Sequence, residues 1–288
     1  MAAEVLRALV AESEAYPQGT PIRDLVEKPA QEIAHFREVA DSLPTPKQFI
    51  NQERERLSQK GFTDSNVEFP SEESLDQVFE AWKRAVELGF IEVKAHVIVG
   101  MDLENIDLPR GWVRVQNWYR QQIGKTIDKD AAILEPAYVL VDTTPKPKYD
   151  GGRQLYPNDS LGPMMSLLRE DGKIIVPDDY KHVPQTSRFA VTPQERETSF
   201  NPAFAQVLKV DPSQVRVPTA AENNFLGNIH HPEFGQNNTW EWYDDHFGGD
   251  SRLFGGCSDG GGLARVFYDW SGGRIGSFGF RPLVVFSS

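Results

Sequence analysis

Apolar positions recur at helical spacing over Ala2–Tyr16 and again over Ala30–Leu43, and a more polar third helix is predicted over Gln48–Lys60, closed by Gly61. The clearest pattern follows Ser71-Glu-Glu-Ser. Leu75, Val78, Phe79, Trp82, Ala85 and Val86 form one stripe of a helix over Leu75–Leu88, ended by Gly89. Ile91–Val99 then alternates as a strand, with His96 on its polar face. Trp112–Gln122 fits either period, and Leu134–Thr143 predicts a strand that stops at the turn-rich Pro145–Gly152.

Beyond Leu134 the chain changes from helical to strand-and-loop character. This places a soft boundary near residue 130, between a mainly helical region (1–130) and a second domain (131–288). Within the latter, Leu161–Arg169 predicts a short helix, and Arg169–Val176 a turn into a strand. Thr192-Pro-Gln-Glu carries an N-cap, a proline and an acidic first turn, the start of a helix through Leu208. A further helix is predicted from Thr219, with Glu222 completing a capping box. Trp240 and Trp242 alternate around Glu241 as in a strand burying one face, and the β-branched run Phe280–Phe286 needs a sheet to pair with.

Four blocks of this second half are Arg216-Val-Pro-Thr-Ala-Ala-Glu222, Thr239-Trp-Glu-Trp242, Arg252-Leu-Phe-Gly-Gly256 and Gly279-Phe-Arg-Pro-Leu-Val284. In this order they resemble the successive motifs of the formylglycine-generating (sulfatase-modifying) type of C-type lectin fold. The resemblance covers about the last third of the chain. It implies an α+β protein in which a C-type lectin-fold domain follows a mainly helical N-terminal region. Because that fold hosts oxidases, synthases and pure binding proteins, it does not by itself name an activity.

Charge narrows the partners. A net charge of -12 and 25% charged residues describe a folded acidic protein without the basic patches that nucleic acid or an anionic membrane requires. No apolar run reaches membrane length, and the acids in the first helix argue against a signal peptide. The expected setting is therefore cytoplasmic or within a virus particle.

Candidate chemistry is sparse. The resemblance implies that an oxidase of this type would need a pair of cysteines, and the chain has only Cys257. His230-His231-Pro-Glu233 is the densest metal-like cluster, with Asp244, Asp245 and His246 downstream. Adjacent histidines on an extended segment point to opposite sides, so no metal, no cofactor and no catalytic residue is expected. Calcium-dependent sugar-binding motifs (Glu-Pro-Asn, Gln-Pro-Asp) are missing too. The alternative is an enzyme of the formylglycine-generating superfamily, or a degenerate relative, with iron held through His230 or His231.

The most informative feature is compositional. From Tyr243 to Ser288 there is no Lys, Glu, Gln, Met or Asn, although the rest of the chain uses them freely. This pattern resembles the variable proteins of diversity-generating retroelements, in which adenine mutagenesis of Asn codons cannot produce Lys, Glu, Gln or Met. Their diversified segment lies near a Gly-Phe-Arg ending of a C-type lectin fold, here about residues 243–280. The resemblance implies a non-enzymatic protein that binds a protein or cell-surface ligand. The binding positions would be Tyr243, Asp245, His246, Asp250, Cys257, Asp259, Arg265, Phe267, Tyr268, Asp269, Ser271, Arg274, Ile275 and Ser277. They are expected together on one exposed face, with Trp240, Trp242, Leu253, Leu263, Val266, Phe280, Leu283 and Val285 facing inward.

Overall fold

The computed structural model describes residues 30–287; the helix expected over Ala2–Tyr16 lies outside them. Helix α1 spans Ala30–Asp41. Helix α2, Pro46–Gln59, starts at the N-cap Thr45, whose hydroxyl accepts from the Gln48 amide while the Gln48 side chain returns the bond. Helix α3, Leu75–Glu87, buries Leu75, Val78, Ala81, Trp82, Ala85 and Val86. Its Trp82 indole donates to the Val93 carbonyl at 2.9 Å and so fixes the start of strand β1, Val93–Ile98.

Strand β1 departs from expectation. It does not have one polar face, because only Lys94 along it retains some exposure and His96 is buried. The reason is that β1 is an edge strand covered by α2. The outward-pointing Val97 amide, which has no neighbouring strand, donates to Glu53 of α2 at 3.0 Å.

A two-stranded ribbon follows, β2 (Met101–Asp102) with β3 (Ile133–Leu134), flanking helix α4 (Asn117–Gln122), which takes only the end of the ambiguous stretch. Strand β4, Ala137–Asp142, is buried throughout. Helix α5 is Gly162–Glu170. No strand forms after it; instead the Ile175 amide is tied to the Glu195 carboxylate at 2.7 Å. Helix α6 runs through Pro193–Glu195, a wider π-type turn over Arg196–Phe200, and Asn201–Leu208. Strand β5 (Val215–Arg216) and helix α7 (Ala220–Ile229) lead to β6 (Trp240–Phe247), β7 (Ser251–Gly255), β8 (Val266–Trp270), β9 (Phe278–Gly279) and β10 (Leu283–Ser287).

These strands make a mixed α+β protein with two four-stranded sheets, ordered β1-β4-β10-β5 and β8-β7-β6-β9. In the first, β4 pairs antiparallel with β1 on one side and β10 on the other. The boundary expected near residue 130 therefore does not separate two cores. One apolar core runs from Ala40 through β1 and β4 to Phe286, because the C-terminal strand closes the sheet that the helical half began. No helix among the described residues is long and apolar enough to cross a membrane.

Candidate functional site

The second sheet and the segments joining its strands carry the expected binding positions, and the register sorts those on the strands by face. Trp242 pairs with Phe254, which pairs with Phe267. Two residues further along β7 and β8, and four along β6 where the register shifts, His246 pairs with Arg252, which pairs with Asp269. Side chains directly opposite share a face, so His246, Phe267 and Asp269 lie on one side. There Trp240, Trp242, Phe254 and Phe278 form an aromatic wall with Ile275 packed against it. Trp240, Phe267 and Ile275 stay half-exposed, and Arg265 lies over the Phe267 ring at 3.7 Å.

The opposite face holds Tyr243, Leu253, Val266 and Tyr268. Tyr268 stacks on Phe247 at 3.8 Å and faces Trp118 of α4 at 5.7 Å. Tyr268 and Trp270 are 47% and 61% exposed, the most open aromatic pair on this edge strand. The expectation of a single face is thus corrected. Strand alternation sends Phe267 and Tyr268 to opposite sides of β8.

Three expected surface positions are occupied structurally. Tyr243 is buried, accepting from Asn223 at 2.9 Å and filling the space beside Gly255. Cys257 is buried. Arg274 makes a two-pronged ion pair with Glu195 (2.6 and 2.7 Å) and also donates to the Ala190 carbonyl. Asp245, half-buried, accepts from the Ala220 amide at the first turn of α7 at 2.7 Å. Burial, with Glu222 and Asp244 nearby, pushes its carboxyl up to about 7. His246, Asp250 and Asp259 are exposed; Ser271 and Ser277 are half-buried, Ser271 donating to the Asp250 carbonyl. Of the inward set, Trp242, Leu253, Leu263, Val266, Phe280 and Leu283 are buried, whereas Trp240 and Val285 are only partly covered.

The motif blocks are explained by buried polar contacts. Within the first block Arg216 and Glu222 pair through both oxygens at 2.5 Å, while Thr219 caps α7. Two residues beyond the block, Asn224 donates to the carbonyls of Val113 and Leu263 and so ties α7 to two neighbouring segments. Lys146 lies under the same region, donating to the carbonyls of Thr239 and Gly256. Desolvation brings its ammonium down to about 8.

A second site was not anticipated. The expectation of no metal rested on adjacent histidines pointing to opposite sides, but His96, His230 and His231 converge beside Glu53. His230 caps the C-terminus of α7, and His231 follows with φ -133° and ψ 66°. The pair therefore sits on a helix-to-loop turn and not on an extended segment, and both rings flank His96, at 4.1 and 4.9 Å between centroids. His96 Nδ1 is 3.7 Å and His230 Nε2 3.5 Å from Glu53 oxygens. His231 bridges His96 (2.8 Å) and Glu233 (2.8 Å). Burial first, then His96, hold His230 well below the ordinary histidine range and bring His231 down to about 4.

Compared with family models, curated proteins and solved structures, the chain finds no match in any of the three.

Proposed function

We propose that the chain is a ligand-binding protein, without catalytic activity, in which a C-type lectin-type scaffold displays a surface diversified by a retroelement. The observation that carries this reading is the contrast within residues 243–280. Leu253, Gly255, Gly256, Leu263, Val266 and Phe280 are buried, in line with a fixed skeleton. Interleaved with them are His246, Asp259, Phe267, Tyr268 and Asp269, which retain exposure, and the whole segment lacks Lys, Glu, Gln, Met and Asn.

The half-exposed wall of Trp240, Phe267 and Ile275, with Arg265 across it and His246 and Asp269 beside it, suits recognition of a protein or cell-surface structure. Rigid aromatics supply contact area at low entropy cost, and short polar groups adapt around them. Tyr243, Cys257 and Arg274, built into the interior or into ion pairs, are assigned to the scaffold. Population sequencing of the coding region tests the proposal. The expected result is variation confined to the codons of residues 243–280, with a nearby near-copy differing at adenines and a reverse-transcriptase gene. A segment as invariant as the rest of the chain would overturn it.

A further inference from the structure

We infer that Glu53, His96 and His230 form a binding site for a first-row divalent transition-metal ion, with His231 and Glu233 as the pair that orients His96. The site is separate from the display surface and joins α2, β1 and the end of α7.

Geometry is the first support. One ligand atom from each of the three residues lies within 4.8 Å of the others. Ions of this kind bind imidazole nitrogen and carboxylate oxygen at about 2.0–2.2 Å. Closing the shell from contacts of 3.5 and 3.7 Å therefore takes movements of roughly an ångström or less at each ligand. All three side chains are nearly inaccessible: Glu53 3%, His96 8% and His230 1% exposed.

The hydrogen-bond pattern is the second support. Both ligand nitrogens, His96 Nδ1 and His230 Nε2, are buried without a hydrogen-bond partner. Glu233 is a carboxylate acceptor, so His231 carries its proton on Nδ1 and offers a lone pair at Nε2. His96 then donates from Nε2 to His231. As the unprotonated Nδ1 that a metal requires, His96 would direct a lone pair at the Glu53 oxygen that Arg56 bonds from one side. A metal ion between them would give that buried Nδ1 the partner it lacks. An acceptor behind a ligand histidine is the usual way to fix its tautomer and ring angle, and His231, itself set by Glu233, is that acceptor for His96. Two imidazoles and one carboxylate favour zinc, iron or cobalt over magnesium or calcium, which prefer all-oxygen shells.

Arg56 opposes the ion and gives the inference its sharpest test. Its guanidinium donates to Glu53 at 2.6 Å and contacts His230 Nδ1 at 3.1 Å. Arg56 therefore holds the His230 proton on Nε2. Metal binding at Nε2 moves that proton to Nδ1, and Arg56, 46% exposed, must turn away from His230.

Tag-free protein stripped with a chelator would be titrated with Co2+ and followed by its visible absorption. The expected result is saturation at one equivalent, displacement by Zn2+, no competition from Mg2+ or Ca2+, and a Zn2+-dependent rise in Tm. Arg56→Gln removes a like charge that contacts two of the ligand residues and should tighten binding about tenfold. Glu233→Leu, which removes the acceptor that fixes the His231 tautomer, should weaken it by about tenfold. Both positions are partly exposed, so these variants should fold even if replacements of His96 or His230 do not. Failure to take up one equivalent of Co2+ would overturn the inference, as would an affinity indifferent to both variants.

Discussion

Arg281 and Glu241, forty positions apart in the chain, meet as an ion pair at 3.0 Å with both side chains buried. Arg281 also donates to the carbonyls of Asp142 and Thr144 and lies over the Phe234 ring at 3.8 Å. Tyr156 donates to the same Glu241 oxygen at 2.7 Å. The arginine of the Gly-Phe-Arg ending and the glutamate between the two tryptophans are thus one joint, linking the end of β4 to β6 and to the approach to β10.

Removing one member of that joint leaves the other charge buried and uncompensated. Glu241→Gln should therefore cost about 3–5 kcal/mol, read as a lower urea midpoint. Tyr156→Phe, which removes one hydrogen bond and leaves the charges paired, should cost about 1–2 kcal/mol. Equal and small effects would mean that the pair is solvated and not structural.

Glycine within the second sheet gives a different test. A Cβ on Gly255 would lie 2.3 Å from the Arg265 carbonyl oxygen and 2.6 Å from the Tyr243 ring, and neither can retreat from a packed position. Gly249 meets nothing within 4 Å. Gly255→Ala should lower the melting temperature sharply, by overpacking worth about 1–3 kcal/mol. Gly249→Ala should leave it almost unchanged. The reverse order would refute the packing described around Tyr243.

Asp245 predicts a pH dependence. Its folded pKa, about 7, lies above the ordinary aspartate value, so between about pH 4 and 7 the native state holds a proton that the unfolded chain has released. The contribution is fully present below pH 4 and is lost as pH rises through 7. Asp245→Asn cannot ionise, so its stability relative to the parent should climb over that window and then level off. Taking the difference isolates Asp245 from Glu222, whose carboxyl is held low by its neighbours, chiefly Arg216, and loses its contribution only in acid. A difference that stays flat from pH 4 to 8 would show that the carboxyl is solvated.

Helices were legible because their signals are local: the α3 stripe and the Thr192 and Thr219 caps need only nearest neighbours in sequence. What sequence patterning misjudged depended on what lies across the core. Glu241 and His96 read as the polar sides of strands, yet both are buried, Glu241 against a distant Arg281 and His96 beneath Glu53 with its Nε2 bonded to His231. A usable signal for the His cluster did exist. Phe49, Glu53 and Leu57 share one buried helical stripe, so a glutamate sits where apolar residues belong. Tyr243 and Arg274 misled for the same reason as Glu241. Their partners, Asn223 and Glu195, lie in other elements.

The last prediction separates scaffold from display. A protein whose surface is repeatedly rewritten must fold with many different side chains there, so those positions should contribute little to stability. His246, Asp250 and Asp259 are exposed, and replacing each by Ala should change stability by no more than about 0.5 kcal/mol. Phe267 and Tyr268 are partly covered, by Arg265 and by Phe247 respectively, and should cost more, yet less than a core residue. Trp242→Ala and Phe280→Ala remove fully buried aromatics and should cost about 3–5 kcal/mol through lost transfer energy and residual cavity. Ligand binding should respond in the opposite order, lost in Phe267→Ala with only a modest fall in melting temperature and kept in whatever fraction of Trp242→Ala stays folded. Thermal melts of the two sets decide it. If the first set is as destabilising as Trp242→Ala and Phe280→Ala, residues 243–280 are simply core and edge, and the diversified surface has to be abandoned.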